Sequence, residues 1–139
     1  INMKYINIFK NKSFINFKSL FHLANFLLII FYLYPGSIFG YLVYGNLNIQ
    51  PQITNDIFSI SSNHIYIFTI ISLIGLFAYY RNYLFKIILF YLFFISIFLE
   101  LLHLIIPQRG FEIKDLAGNI IGVILSYIII KLFKKRKSK

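Results

Sequence analysis

Four long hydrophobic runs alternate with polar segments along the chain. The runs cover residues 19–34, 65–80, 84–106 and 116–133. A helix of about 17–25 apolar residues crosses the hydrocarbon core of a bilayer, so each run is a candidate span, with the first and second at the short end. Beyond Pro35 the chain is apolar again, which predicts either a kinked continuation or a segment at the membrane interface. The pattern predicts an all-α membrane bundle of four transmembrane helices.

Basic residues are distributed unevenly between the two sides of such a bundle. With a cytoplasmic N-terminus, segments 1–18, 81–86 and 131–139 lie inside and hold four, two and six Lys or Arg residues, twelve in all. The two outer loops hold only Arg109 and Lys114. Because positive charge concentrates in short cytoplasmic loops, both termini are predicted to be cytoplasmic.

This topology gives a basic cytoplasmic N-terminal segment at 1–18, a membrane domain at 19–133 and a basic cytoplasmic tail at 134–139. The composition agrees, with 59% hydrophobic and 13% charged residues, whereas soluble domains carry about 25% charged residues. The basic residues that produce the net charge of +10 flank the apolar runs and do not cluster elsewhere. This distribution predicts contact with membrane lipids and no nucleic acid partner. The chain has no cysteine, which excludes disulfides and thiolate sites.

Polar side chains at the outer ends of the helices form the candidate site. Glu100 lies inside an apolar run, roughly 10 Å below the helix end at Pro107. A charge there costs on the order of 2–3 kcal/mol, so we expect it to face the bundle interior and to pair. His103 shares its helix face, and Arg109 is close enough to fold back onto it. His64 lies at the outer start of the second helix, at the same side of the bundle. We expect these polar residues to form either an ion pair that only stabilises the packing or a polar pocket.

The start of the fourth helix adds a further polar pair. Asp115 and Asn119 are four positions apart and share one helix face. Capping of the helix N-terminus is the simpler role for Asp115, and a bond to a neighbouring helix is the simpler role for Asn119. Gly118, Gly122 and Ser126 form a stripe of small residues that favours close helix packing within the chain over a dimer face.

These residues do not form a recognisable metal motif. The spacing of the histidines and carboxylates matches no pattern such as H-E-x-x-H. We therefore predict neither a metal site nor a cofactor.

The second half of the chain resembles the VanZ-like family. The resemblance rests on Leu99-Glu100-Leu101-Leu102-His103, Pro107-Gln108-Arg109, Asp115-Leu116 and Asn119-x-x-Gly122. Asn63-His64 before an apolar helix is similar to an upstream motif of the family, and the whole resemblance covers roughly residues 20–133. The chain departs from the usual pattern at His103, where Gln is common, and at Asn63, where a basic residue is common.

The resemblance implies a multi-pass protein of the bacterial cytoplasmic membrane and cell envelope. The family is named for resistance to the glycopeptide antibiotic teicoplanin. It implies no particular reaction, so whether the chain is an enzyme is left open.

We predict a protein that binds a lipid or lipid-linked cell-wall headgroup in a polar pocket at the outer face. The ligand-binding residues are predicted to be His64, Glu100, His103, Arg109, Asp115 and Asn119. One alternative is a small membrane enzyme in which Glu100 and His103 are the catalytic acid and base for a lipid-linked substrate. The other is a structural or accessory membrane subunit. The ligand and the oligomeric state stay open.

Overall fold

The computed structural model describes the backbone of residues 3–137 and the side chains of residues 17–135. Over this range the fold consists of helices and connecting loops, without a β-strand. The helices are α1 (Met3–Leu33), α2 (Ile38–Tyr44), α3 (Ser62–Ala78), α4 (Phe85–Leu102) and α5 (Ile113–Lys137). The all-helical prediction is confirmed. The side chains of the predicted basic segments 1–18 and 134–139 lie largely outside the described residues.

The four long helices run in alternating directions, so the ends that carry the polar residues meet at one end of the bundle. The closest pair is α3 and α5, and small residues make this approach feasible. A Cβ atom placed on Gly118 would lie 2.8 Å from the Ser61 carbonyl oxygen, and one on Gly122 would lie 2.8 Å from the Ile65 carbonyl oxygen. The small-residue stripe therefore packs within the chain, as predicted.

The bundle buries polar side chains within an apolar core, whose members include Phe21, Phe68 and Leu92, and its outer surface is apolar as well. Several polar side chains have no exposed surface at all, namely Ser62, Ser72, Ser96, Glu100, Asn119 and Ser126. By contrast, Phe90 is 74% exposed and Leu132 is 60% exposed. In water such an exterior would be unfavourable, whereas hydrocarbon solvates it. The arrangement is that of a membrane protein.

Two helices are long and apolar enough to cross a membrane, α4 and the part of α5 at Ile113–Lys135. A third candidate combines Phe17–Leu33 of α1 with α2, although the two are bent by 80°. The apolar helix α3 is shorter, with 17 residues. The described residues thus contain two or three candidate spans.

The chain turns sharply after α1, and a separate short helix follows. Gly36 adopts a positive φ of 81°, which glycine tolerates without steric cost. The Ser37 hydroxyl then accepts a hydrogen bond of 2.9 Å from the Gly40 N–H and caps α2. The first predicted alternative, one kinked helix that continues past Pro35, is therefore not found, because α1 and α2 are two separate helices.

The helix ends at the polar side differ from the sequence boundaries. We expected the third run to stay helical to Ile106, but α4 ends at Leu102 and short turns lead to Pro107. Proline disfavours helical geometry in the residue before it, here Ile106, which explains why no helix continues past Pro107. At the next helix, α5 begins at Ile113, so Asp115 lies within its first turn and not at its cap.

Candidate functional site

The candidate site lies where four helices end or begin. Tyr32 is one residue from the end of α1, His64 is in the first turn of α3, Glu100 is in the last turn of α4, and Asn119 is in the second turn of α5. All four side chains are buried. Residues that are far apart in the sequence therefore share one polar cluster.

Asn119 is the central hydrogen-bonding residue of this cluster. Its amide Nδ2 donates to the Ser96 carbonyl oxygen of α4 at 3.1 Å. Because that oxygen only accepts, the orientation of the amide is determined, and Oδ1 must face the other partners. The Tyr32 hydroxyl donates to Oδ1 at 3.0 Å, and His64 Nδ1 lies 2.9 Å from the same atom. Asn119 thus connects α1, α3, α4 and α5, which extends its predicted role in interhelical bonding.

The two oxygens of the Glu100 carboxylate have different surroundings. Oε1 accepts a hydrogen bond of 3.2 Å from the Glu112 backbone N–H and lies 3.4 Å from His103 Nδ1. Oε2 is buried and accepts no hydrogen bond from any described residue. It lies 4.0 Å from His64 Nδ1. A buried carboxylate oxygen without a partner is costly, so it marks the part of the cluster that is incomplete.

Both histidines face a carboxylate. His64 Nε2 lies 3.5 Å from Asp115 Oδ2, and His103 Nδ1 faces Glu100 as described. The other nitrogen of His103, Nε2, lies 3.2 Å from the Tyr32 carbonyl oxygen. Since that carbonyl only accepts, His103 Nε2 carries a proton.

Arg109 lies in the loop between α4 and α5 and contacts the end of α1. Its Nη2 donates to the Phe31 carbonyl at 2.9 Å and its Nε donates to the Tyr34 carbonyl at 3.3 Å. Phe31 is in the last turn of α1 and Tyr34 is the first residue after it, so the guanidinium caps the C-terminus of the helix. Among the described residues it forms no ion pair with Glu100, contrary to the fold-back that the sequence suggested. Burial lowers the pKa of Arg109, and nearby negative groups, including Glu100, oppose this shift.

A cavity of about 350 Å³ lies beside the cluster. Aromatic and aliphatic side chains form most of its wall, including Phe31, Phe39 and Ile67. Its polar lining includes Tyr32, Asn63, His64, His103 and Arg109. Glu100, Asp115 and Asn119 are not in that lining, so the six predicted site residues divide into three at the cavity wall and three behind it.

The loop between α2 and α3 is held over this cavity by Asn63. The Asn63 amide donates to the Pro51 carbonyl at 2.7 Å, and its Oδ1 accepts from the Ile53 N–H at 3.0 Å. Asn63, where the VanZ-like pattern often has a basic residue, therefore has a structural role. Lys114 is not in the cavity lining, and its ammonium group pairs with Glu112 at 3.0 Å.

Sequence reasoning missed two members of the cluster. In the sequence, Tyr32 is one of many aromatic residues near a predicted membrane interface and does not stand out. Ser96 contributes only its backbone carbonyl to the cluster. The one available signal for Tyr32 was a hydroxyl at the outer end of the first apolar run, in the same layer as His64. No sequence pattern marks a backbone acceptor.

Comparison with known proteins agrees with the resemblance seen in the sequence. The family model described as VanZ/LLP1 matches residues 3–134. Searches of curated proteins and of solved structures each found no match. Since the matched range covers nearly the whole described chain and includes every residue of the cluster, the chain belongs to the VanZ/LLP1 family.

Proposed function

We propose that this VanZ/LLP1 protein binds the anionic headgroup of a membrane lipid, or of a lipid-linked cell-wall intermediate, in the cavity beside Arg109. It does so as a four-span protein of a bacterial cytoplasmic membrane, with both termini in the cytoplasm. The cavity then opens at the extracytoplasmic side.

The observation that carries the proposal is a guanidinium at the wall of an apolar cavity. Arg109 is half-buried and uses two of its five N–H donors on α1 carbonyls. The remaining donors are available to a phosphate, which guanidinium binds in bidentate geometry. Phe31, Phe39 and Ile67 supply a wall suited to an acyl chain or a polyprenyl chain. An amphiphile with a phosphate and an apolar tail matches both parts.

The cavity size and its other polar groups fit a headgroup. Ligand pockets usually have volumes of about 300–1,000 Å³, and this cavity is at the lower end, with about 350 Å³. His64, His103 and Tyr32 line the same space and offer donors and acceptors to hydroxyl groups. Lys114, the other basic residue of the outer loops, is paired with Glu112 and is not part of the proposed site.

The proposed topology rests on charge distribution and helix lengths. Arg81 lies between α3 and α4 and Lys86 lies in the first turn of α4, both at the end of the bundle opposite the cavity. The positive-inside rule puts that end in the cytoplasm. With 17 residues, α3 is at the lower limit for a span, and it packs between the longer helices.

Lipids that copurify with the protein test the proposal directly. The protein is purified in a mild detergent, and bound lipids are identified by mass spectrometry for wild type, Arg109→Ala and Arg109→Gln. We expect wild type to retain anionic lipid and both variants to lose about tenfold or more of it, because a charge-assisted contact contributes on the order of 1.5–3 kcal/mol. Arg109→Gln retains a donor for the α1 carbonyls and separates loss of charge from loss of the cap.

Arg81→Ala is the matched control, because Arg81 is an exposed arginine at the opposite end of the bundle. It should retain the lipid of the wild type. Equal lipid retention by wild type and both Arg109 variants would refute the headgroup site, and so would equal loss in Arg81→Ala.

A further inference from the structure

Three potential metal ligands meet immediately behind the cavity wall. His64 comes from α3, Glu100 from α4 and Asp115 from α5, and one ligand atom from each lies within 4.8 Å of the other two. The Glu100 side chain is fully buried, and the Asp115 side chain is 16% exposed. One imidazole and two carboxylates from separate helices form a donor set that is common in divalent metal sites.

The hydrogen bonds of the cluster determine which nitrogen of His64 is available. Asn119 Oδ1 lies 2.9 Å from Nδ1, and an amide oxygen only accepts. The Tyr32 hydroxyl is also 2.9 Å from Nδ1, but it donates its one proton to Asn119 Oδ1 and therefore acts as an acceptor towards the imidazole. His64 Nδ1 therefore carries a proton, and in the neutral ring the lone pair is on Nε2. A donated bond from the far nitrogen to an oxygen is also what orients metal-binding histidines in general.

The lone pair of His64 Nε2 then faces another acceptor. Asp115 Oδ2 lies 3.5 Å from it. The buried Glu100 Oε2, which is 4.0 Å from Nδ1 of the same ring, has no hydrogen-bond donor among the described residues. Two carboxylates this close to each other repel unless a positive charge lies between them. A proton on His64 Nε2 would satisfy Asp115 but leave Glu100 Oε2 without a partner, whereas a divalent cation serves all three atoms.

We infer that His64, Glu100 and Asp115 form a binding site for a divalent transition-metal cation, Zn²⁺ or Mn²⁺. Three ligand atoms that are 4.8 Å apart or less lie within about 2.8 Å of a common centre, so side-chain movements of less than about 1 Å bring them to the 2.0–2.2 Å of a metal–ligand bond. The two carboxylates balance the charge of the ion, which favours its burial in a membrane protein. With one nitrogen and two oxygen donors, Zn²⁺ should bind more tightly than Mn²⁺.

The absence of a zinc motif in the sequence does not conflict with this site. Motif spacing detects ligands on one helix or in one loop, and these three residues come from three helices. The site shares His64 with the proposed headgroup site, but its two carboxylates, Glu100 and Asp115, do not line the cavity. Binding of the metal alone therefore tests it independently of any lipid.

The experiment is calorimetric titration of detergent-purified protein that carries a histidine-free affinity tag and has been stripped with EDTA. ZnCl₂ and MnCl₂ are titrated in separate runs, and metal content after dialysis is measured by mass spectrometry. We expect one Zn²⁺ per chain in wild type. Asp115→Asn and Glu100→Gln should each weaken binding by about tenfold or more, since each loses a charged ligand.

Two control variants test whether the binding is specific. Glu112→Gln removes an exposed carboxylate at the same end of the bundle but keeps its backbone N–H, and His22→Gln removes a histidine that contacts Tyr79 at the other end. Both should bind Zn²⁺ like wild type. Absence of stoichiometric binding in wild type, or unchanged binding in Asp115→Asn, would overturn the inference.

X-ray absorption of the Zn²⁺-loaded wild type keeps the test decisive if either ligand variant fails to fold. We expect a first shell of oxygen and nitrogen atoms with a single imidazole. A shell with two imidazoles, or with none, would overturn the assignment.

Discussion

The ring of Tyr32 lies nearly parallel to the ring of His103, with centroids 5.3 Å apart and an interplanar angle of 15°. The hydroxyl of the same tyrosine contacts His64 Nδ1 at 2.9 Å and Asn119 Oδ1 at 3.0 Å. One side chain of α1 thus contacts both histidines of the site. Its ring positions one of them and its hydroxyl positions the other.

Replacement of Tyr32 by phenylalanine separates these two contacts. Tyr32→Phe keeps the stacked ring but removes the donor to Asn119, and a buried hydrogen bond contributes about 1–2 kcal/mol. We expect the free energy of unfolding to fall by that amount, measured by circular dichroism during titration of detergent-solubilised protein with SDS.

Tyr34→Phe is the control for this measurement, since Tyr34 is only two residues away and its side chain is 41% exposed. It should change stability by less than about 0.5 kcal/mol. A Tyr32→Phe protein as stable as Tyr34→Phe would show that the hydroxyl contacts do not hold the cluster together.

The contact between α3 and α5 can be tested at one glycine. A Cβ on Gly122 would lie 2.8 Å from the Ile65 carbonyl oxygen and 2.8 Å from Phe68 Cβ, so Gly122→Ala must push the helices apart. We expect a loss of roughly 1–3 kcal/mol in the same unfolding assay.

Gly110→Ala provides the comparison, because a Cβ there meets no atom within 4 Å. Its stability should match that of wild type. If Gly122→Ala were equally stable, the close approach of α3 and α5 would be wrong, and with it the positions of His64 and Asn119.

The proposed orientation can be tested with single cysteines, because the chain contains none. Gly110 lies in the exposed loop beside the site, and Tyr83, which is 87% exposed, lies between α3 and α4 at the other end. A membrane-impermeant maleimide should label Gly110→Cys in intact cells and should label Tyr83→Cys only after permeabilisation.

The unmodified chain should remain unlabelled under both conditions. Labelling of Tyr83→Cys in intact cells, with protection of Gly110→Cys, would put the cavity on the cytoplasmic side. Labelling of both positions from outside would mean that α4, which lies between them, does not cross the membrane.

Much of the candidate site could be predicted from the sequence. Glu100 inside an apolar run, with His103 on the same helix face, already indicated a buried polar pair, because lipid leaves such groups no alternative to an internal partner. Asn119 was expected to bond a neighbouring helix, and it does. The contact between Arg109 and Glu100 was not found, because the carbonyls at the end of α1 bind the guanidinium.

The sequence by itself determined that this protein lies in a lipid environment and that it is helical. Long apolar runs exclude water as the surrounding medium, and backbone groups in hydrocarbon must bond within a helix, so both features follow from composition along the chain. Only the tertiary structure decided that Tyr32 joins the cluster, that Glu100 Oε2 lacks a partner and that His64 meets Asp115. These depend on how far each helix is rotated and how closely Gly118 and Gly122 let α5 approach α3, and distances between helices are not encoded in the spacing of residues along one helix.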